Sequence, residues 1–161
     1  MRALLGLALL LALLVAAAGS AAASDSPLFR RADSSAIVFP GGVRAWCDAK
    51  SLNVFSLGPT LRSSRWELEV GRKSVRPGGV IRFSWRGANG ISIFVYDAKT
   101  HNEASVGAEG SRGVVTLRRA TCRRGGSLEI GLSGTIASEF SDGKPIRVSG
   151  TYRGTVGAPP R

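Results

Sequence analysis

The chain has 161 residues, of which 43% are hydrophobic and 20% are charged, and its formal net charge at pH 7 is +11. With one histidine and two cysteines it lacks the paired-cysteine and His-x-x-x-His spacings of common metal sites, which excludes those sites. We therefore expect no metal and no cofactor. A positive charge of this size attracts polyanions, so nucleic acid, anionic lipid headgroups and acidic polysaccharide are the partners to consider.

The first 23 residues have the pattern of a cleaved signal peptide. Arg2 supplies a positive charge, an apolar run follows over residues 3–18, and Ala21-Ala22-Ala23 provides a small-residue cleavage site. Since this run is shorter than the roughly 20 apolar residues that span a bilayer, the pattern favours cleavage near Ala23 over an uncleaved anchor. We expect a secreted or periplasmic protein whose net charge is +10, because Arg2 is the only charged residue removed.

The rest of the chain divides into one domain between two tails. Residues 24–35 are polar without a sustained period and predict a flexible N-terminal tail. Residues 157–161 contain two prolines, which cannot extend a strand ladder, and predict a disordered C-terminal tail. Residues 36–156 are long enough for one domain and too short for two typical ones.

Short apolar runs separated by turn residues dominate residues 36–156, and none keeps the apolar period of a long helix. The pattern predicts an all-β fold, a single antiparallel β-sandwich or open barrel of about eight to ten short strands. The predicted strands are residues 35–39, 43–47, 52–57, 65–70, 80–86, 91–96, 113–118, 127–132, 135–140 and 145–152.

Two hairpins follow from the alternation of apolar residues. Residues 81–85 and 91–95 are predicted to pair across the loop Ala88-Asn89-Gly90, which places Arg82 opposite Tyr96 and beside Phe94. Such a group is either a stacking platform for a sugar, a base or an anion, or a second core layer covered by arginine stems.

The second hairpin pairs residues 136–140 with residues 146–150 across Asp142-Gly143-Lys144. It brings Ser133-Gly134-Thr135 near the repeated tripeptide Ser149-Gly150-Thr151. The repeat indicates either a glycine-lined groove or a twisted sheet softened by glycine.

Cys47 and Cys122 are expected to form one disulfide, because two thiols in an oxidising compartment usually pair. Closing a loop of about 75 residues stabilises a fold by roughly 4 kcal/mol in the chain-entropy model. The alternative is a reactive thiolate at Cys122, favoured by the positive charge of the neighbouring arginines.

The densest basic group surrounds Cys122 and is the best candidate for an anion-binding site. It comprises Arg118, Arg119, Arg123 and Arg124, and Arg82 with Tyr96 is a second candidate. A compositional origin of the charge is the competing interpretation, because 18 of the 22 basic residues are arginine in a chain rich in alanine and glycine.

Catalytic patterns are missing from the sequence. No G-x-S-x-G elbow and no phosphate-binding glycine loop occurs, and the single histidine, His101, lies in a polar stretch. Glu67 and Glu69 alternate with apolar residues, which is typical of the solvent face of a strand. The sequence therefore predicts binding rather than catalysis.

We expect an exported binding module that recognises an anionic polymer or a membrane surface, with protein partners as a further possibility. Two alternatives stay open. One is a structural or adhesin-like subunit that interacts through its sheet edges. The other is a hydrolase whose site has no recognisable signature.

Overall fold

The computed structural model describes residues 26–159, apart from Leu57 and Asn89. The predicted signal peptide, residues 1–23, lies outside this range. The described chain is nearly all β, which confirms the predicted fold class. Its ten strands are β1 (Leu28–Arg30), β2 (Val43–Cys47), β3 (Ser51–Ser56), β4 (Arg65–Gly71), β5 (Gly79–Ser84), β6 (Ile91–Asp97), β7 (Asn102–Ser105), β8 (Arg112–Arg119), β9 (Ser127–Ser138) and β10 (Ile146–Thr155), with a 3-10 turn over Arg72–Ser74.

The strands form two antiparallel layers that join into one curled half-barrel. The first layer has the order β1-β10-β9-β8-β5 and the second has the order β2-β3-β4-β6-β7. Strand β9 joins them, because it pairs with β8 over most of its length and with β7 at Ala137 and Ser138. The inward side chains of both layers, such as Trp66 and Ile130, form a single core.

Most predicted strands are present, with revised ends. The strand predicted at residues 43–47 has those bounds as β2. The two strands predicted at residues 127–132 and 135–140 are one strand, β9, since Ser133 and Gly134 continue the ladder. The prediction at residues 35–39 is wrong, because that segment contributes only an isolated bridge at Ala36.

The first predicted hairpin is wrong. Strand β5 pairs with β8 in the first layer, whereas β6 pairs with β4 and β7 in the second. Arg82 therefore lies opposite Val114, and Tyr96 lies opposite Arg65 and Glu103. Alternation shows which face of a strand is buried but not which strand lies beside it. The pattern around the predicted loop Ala88-Asn89-Gly90 therefore does not reveal that β5 and β6 belong to different layers.

The second predicted hairpin is confirmed as an antiparallel pair, but its register is shifted. Ile146 lies opposite Ile136, whereas the prediction placed residue 146 opposite residue 140. A shift of four residues keeps the same side chains on the buried face, so the apolar pattern fits both registers. Ser133 lies opposite Ser149, and the two Ser-Gly-Thr tripeptides are neighbours as predicted.

The prediction of a flexible tail over residues 24–35 is wrong from Leu28 onward, where the chain is part of the fold. Strand β1 pairs with β10, and Phe29 is fully buried, with its ring centroid 5.2 Å from that of Phe39 and 5.4 Å from that of Trp66. A three-residue strand with one buried side chain is too short to show a period. The predicted C-terminal tail is wrong at Gly157, whose N–H donates to the carbonyl of Ala45 at 2.7 Å.

Candidate binding surfaces

A disulfide joins Cys47 to Cys122, with 5.5 Å between their Cα atoms, and confirms the predicted pairing. It ties the end of β2 in the second layer to the loop that follows β8 in the first. A disulfide of this kind is typical of proteins that fold in an oxidising compartment. A reactive thiolate at Cys122 is therefore not the state of this structure.

The residues that follow Cys122 form a turn held at both ends. The N–H of Gly126 donates to the carbonyl of Arg123 at 2.9 Å, and the N–H of Gly125 donates to Val156 after β10 at 2.8 Å. Gly125 has a φ of +76°, which glycine adopts without strain. Arg123 and Arg124 are exposed on this turn, so two cations project from an anchored backbone.

Arg118 and Arg119 end β8 close to that turn. The guanidinium of Arg118 lies 3.3 Å from the Glu129 carboxylate, which is also 3.5 Å from Arg153. Both arginine side chains are more than half exposed, so these ion pairs are weak. The four arginines predicted around Cys122 thus lie at one end of the molecule, with Glu129 as an acidic neighbour that the sequence did not indicate.

A groove of about 650 Å³ opens where β2 meets β9 and β10. Its cationic side chains are Arg44, Arg119 and Arg153, and its buried residues are Ala45, Leu128 and Tyr152. Burial raises the pKa of the Tyr152 hydroxyl, which therefore stays neutral. We call this surface the arginine groove. The sequence does not indicate Arg44 and Arg153 as members of a basic group, because each is isolated along the chain.

Further turns extend the basic surface. The N–H of Arg72 donates to the carbonyl of Lys50 at 2.7 Å, and the N–H of Gly78 donates to the carbonyl of Leu117 at 2.7 Å. The first bond joins the turn after β2 to the turn after β4. The second joins the segment between that turn and β5 to the end of β8. We refer to the turns after β2 and β4, the turn after Cys122 and the arginine groove together as the basic end. Its cations are Arg44, Lys50, Arg72, Lys73, Arg76, Arg118, Arg119, Arg123, Arg124 and Arg153.

The basic end holds ten of the twenty described lysine and arginine residues, but only two of the ten described carboxylates, Asp48 and Glu129. Asp48 accepts the N–H groups of Lys50 and Ser51 at 2.7 and 2.8 Å, and these hydrogen bonds lower its pKa. The Asp48 carboxylate is therefore hydrogen-bonded to the backbone of its own turn. Positive charge is concentrated at this end rather than spread evenly over the surface.

The predicted pair of Arg82 and Tyr96 is not formed. Tyr96 has Arg65 as its arginine neighbour, whose guanidinium carbon lies 4.9 Å from the Tyr96 ring centroid and 5.5 Å from that of Phe94. Arg82 instead lines a pocket of about 320 Å³ with Lys73 and Arg76. An arginine does stack on these aromatic rings, but it comes from the strand next to β6 in space.

His101 lies at the rim of a separate pocket of about 590 Å³. Its Nδ1 atom is 3.3 Å from the hydroxyl of Tyr96. Deeper in this pocket, Asp97 is held by Arg31 in two hydrogen bonds of 2.5 and 2.7 Å and by Thr100 in one of 2.8 Å. Burial by itself would raise the pKa of Asp97, but these hydrogen bonds keep it below its usual value. The ionised Asp97 carboxylate thus has a structural role.

Over residues 26–159, excluding the two gaps, no three histidine, cysteine or acidic side chains converge as a metal site would require. Within the same range no helix has the length and apolarity needed to cross a membrane. Comparisons with protein-family models, curated proteins and solved structures find no match to this chain.

Proposed function

We propose that this protein is an exported binding module whose basic end recognises an anionic polymer or surface. The concentration of charge carries the proposal. Compositional bias alone distributes arginine without regard to position, whereas half of the described cations share one end of the fold with two carboxylates. The rest of the described chain has ten cations and eight carboxylates and is nearly balanced.

The shape of the basic end supports the same function. The arginine groove is concave and is lined by three arginines and one carboxylate, Glu129, so its net charge is positive. A concave surface of net positive charge concentrates the field and raises the local concentration of anions. The neighbouring turn is anchored by the Cys47–Cys122 disulfide and by two hydrogen bonds to Val156. A rigid surface binds with a smaller loss of conformational entropy than a mobile one.

Export is supported by two independent observations. The signal-peptide pattern of residues 1–23 comes from the sequence, and the disulfide comes from the fold. A secreted or periplasmic protein encounters anionic polymers and membrane surfaces, so these are the partners that we expect at that location.

The test is a salt series with the purified exported protein and four probes: heparin, duplex DNA, anionic liposomes and an acidic polysaccharide. The variant Arg44→Ser/Arg119→Ser/Arg153→Ser removes three charges from the arginine groove. The matched control, Arg62→Ser/Arg112→Ser/Arg147→Ser, removes three exposed charges elsewhere. Both variants have the same net charge, so a difference between them reports the position of the charges.

For duplex DNA the affinity should fall steeply with salt, and the groove variant should reduce the slope of log K against log salt by about 2 to 3. The control should change it by less than about 1. The probe bound most tightly at physiological salt identifies the partner class. Equal losses in both variants would mean that binding depends on the total charge and not on its position. Weak binding of every probe would contradict the proposal and favour the alternative of a structural subunit that interacts through its sheet edges.

A further inference from the structure

A second groove lies on the outer face of the β2-β3-β4-β6 layer and differs in chemistry from the basic end. It has a volume of about 280 Å³, near the lower limit for ligand pockets, and suits a group the size of one long side chain. Its aromatic and polar side chains are Trp46, Asn53, Phe55, Glu67, Glu69, Ser92 and Phe94, and no lysine or arginine of the described residues lines it. We call it the acidic groove.

Strand register sets the order of these side chains. Glu67 lies opposite Phe55 on one side and Phe94 on the other. Trp46 meets the Phe55 ring edge-on, with 4.4 Å between centroids and an angle of 88° between planes. Glu67 and Glu69 point from the same face of β4, about 7 Å apart along the strand. Two carboxylates thus stand among three aromatic rings.

Neither carboxylate is neutralised within the described part of the chain. Glu67 and Glu69 are exposed, and no ion pair or side-chain hydrogen bond joins them to another described residue. The nearest cation along the strand, Arg65, does not turn towards Glu67. It lies over the rings of Phe94 and Tyr96 and donates to the carbonyl of Leu61 at 2.9 Å.

We infer that the acidic groove binds an arginine or lysine side chain presented by a basic peptide segment of a partner protein. Charge complementarity carries this inference, because two unpaired carboxylates and the faces of aromatic rings both attract an organic cation. Arg65 provides the internal precedent, since a guanidinium already rests on aromatic rings of this face. Arginine suits the site better than lysine, because its planar group stacks on a ring and also pairs with a carboxylate.

The experiment titrates the purified protein with a capped tri-arginine peptide and with its neutral isostere, tri-citrulline. Trp85 is exposed at the surface, so a Trp85→Phe background makes Trp46 the main surface tryptophan reporting by fluorescence. Tri-arginine should change the emission in a saturable way, and tri-citrulline should not. The variant Glu67→Gln/Glu69→Gln should weaken tri-arginine binding by roughly tenfold. Trp46→Leu should remove the fluorescence change and, in isothermal titration calorimetry, most of the affinity.

The matched control is Glu109→Gln/Glu139→Gln, which makes the same change in charge at two exposed carboxylates outside the groove. It should bind as the parent does. The variant Arg119→Ser/Arg153→Ser keeps Arg44, which lies opposite Phe55 of the acidic groove, and should also bind the peptide unchanged. This inference and the proposed anion binding therefore succeed or fail separately.

Three outcomes would overturn the inference. Equal binding of tri-citrulline, or equal losses in both glutamine variants, would show that the two carboxylates do not select the ligand. Tight binding of a neutral oligosaccharide that needs Trp46 but not Glu67 and Glu69 would assign the groove to a sugar. Self-association in sedimentation equilibrium, abolished by Glu67→Gln/Glu69→Gln, would make a second copy of this chain the occupant.

Discussion

Replacing Arg31 by methionine tests whether the segment before β2 is an integral part of the fold. The Asp97 side chain is 1% exposed and that of Arg31 is 14% exposed, and two hydrogen bonds of 2.5 and 2.7 Å join them. Removing one partner of a buried ion pair costs about 3 to 5 kcal/mol, because the other charge stays buried and unpaired. Since Asp97 keeps its bond from Thr100, we expect a loss of about 3 kcal/mol in the free energy of unfolding.

The assay is thermal and urea denaturation of the purified protein, where such a loss should lower the melting temperature by about 10 °C. Arg30→Met is the control, because Arg30 is exposed, and its effect should stay within about 0.5 kcal/mol. Adding Asp97→Asn to Arg31→Met should restore part of the stability, since it removes the uncompensated charge. If Arg31→Met changed the free energy of unfolding by less than about 1 kcal/mol, this ion pair would not hold the segment in place.

The same pair predicts a pH dependence. The pKa of Asp97 is lower in the folded protein than its usual value of 3.8, so the unfolded state binds more protons in acid. Its contribution to stability is complete above the unfolded pKa and is lost as the pH falls through the folded one. In Arg31→Met burial still raises the pKa of Asp97 but the arginine no longer lowers it, so acid unfolding should begin at a higher pH.

Two further predictions concern the core of the fold. Reducing the Cys47–Cys122 disulfide, which spans 75 residues, should lower the free energy of unfolding by about 4 kcal/mol in urea denaturation, and equal curves with and without reductant would contradict its role. Gly134→Ala should cost about 2 kcal/mol, because the new Cβ would collide with backbone atoms of Arg112 and Gly113. Gly42→Ala enters open space and should change stability by less than about 0.5 kcal/mol, so similar melting temperatures for the two variants would refute the packing argument.

Strand patterns and the cysteine count were sufficient to predict the fold class and the covalent link. Alternation along residues such as 65–70 identifies a strand with one buried face, because side chains alternate across any sheet whatever its neighbours are. Two cysteines leave one possible pairing. The sequence pattern does not predict the short strand β1. This strand buries only one residue, Phe29, and a single apolar residue has no period.

The partners of each strand, and therefore the sites, were decided by the tertiary structure. The alternation of apolar residues predicts Arg82 beside Tyr96, but the pairing of β4 with β6 places Arg65 there instead. The sequence likewise determined the net charge and the dense arginines around Cys122, but not the arginine groove, in which Arg44, Arg119 and Arg153 meet from three distant segments. Electrostatic and aromatic contacts depend on distances of a few ångströms in space, and residues far apart along a chain reach such distances only when the sheets close around their core.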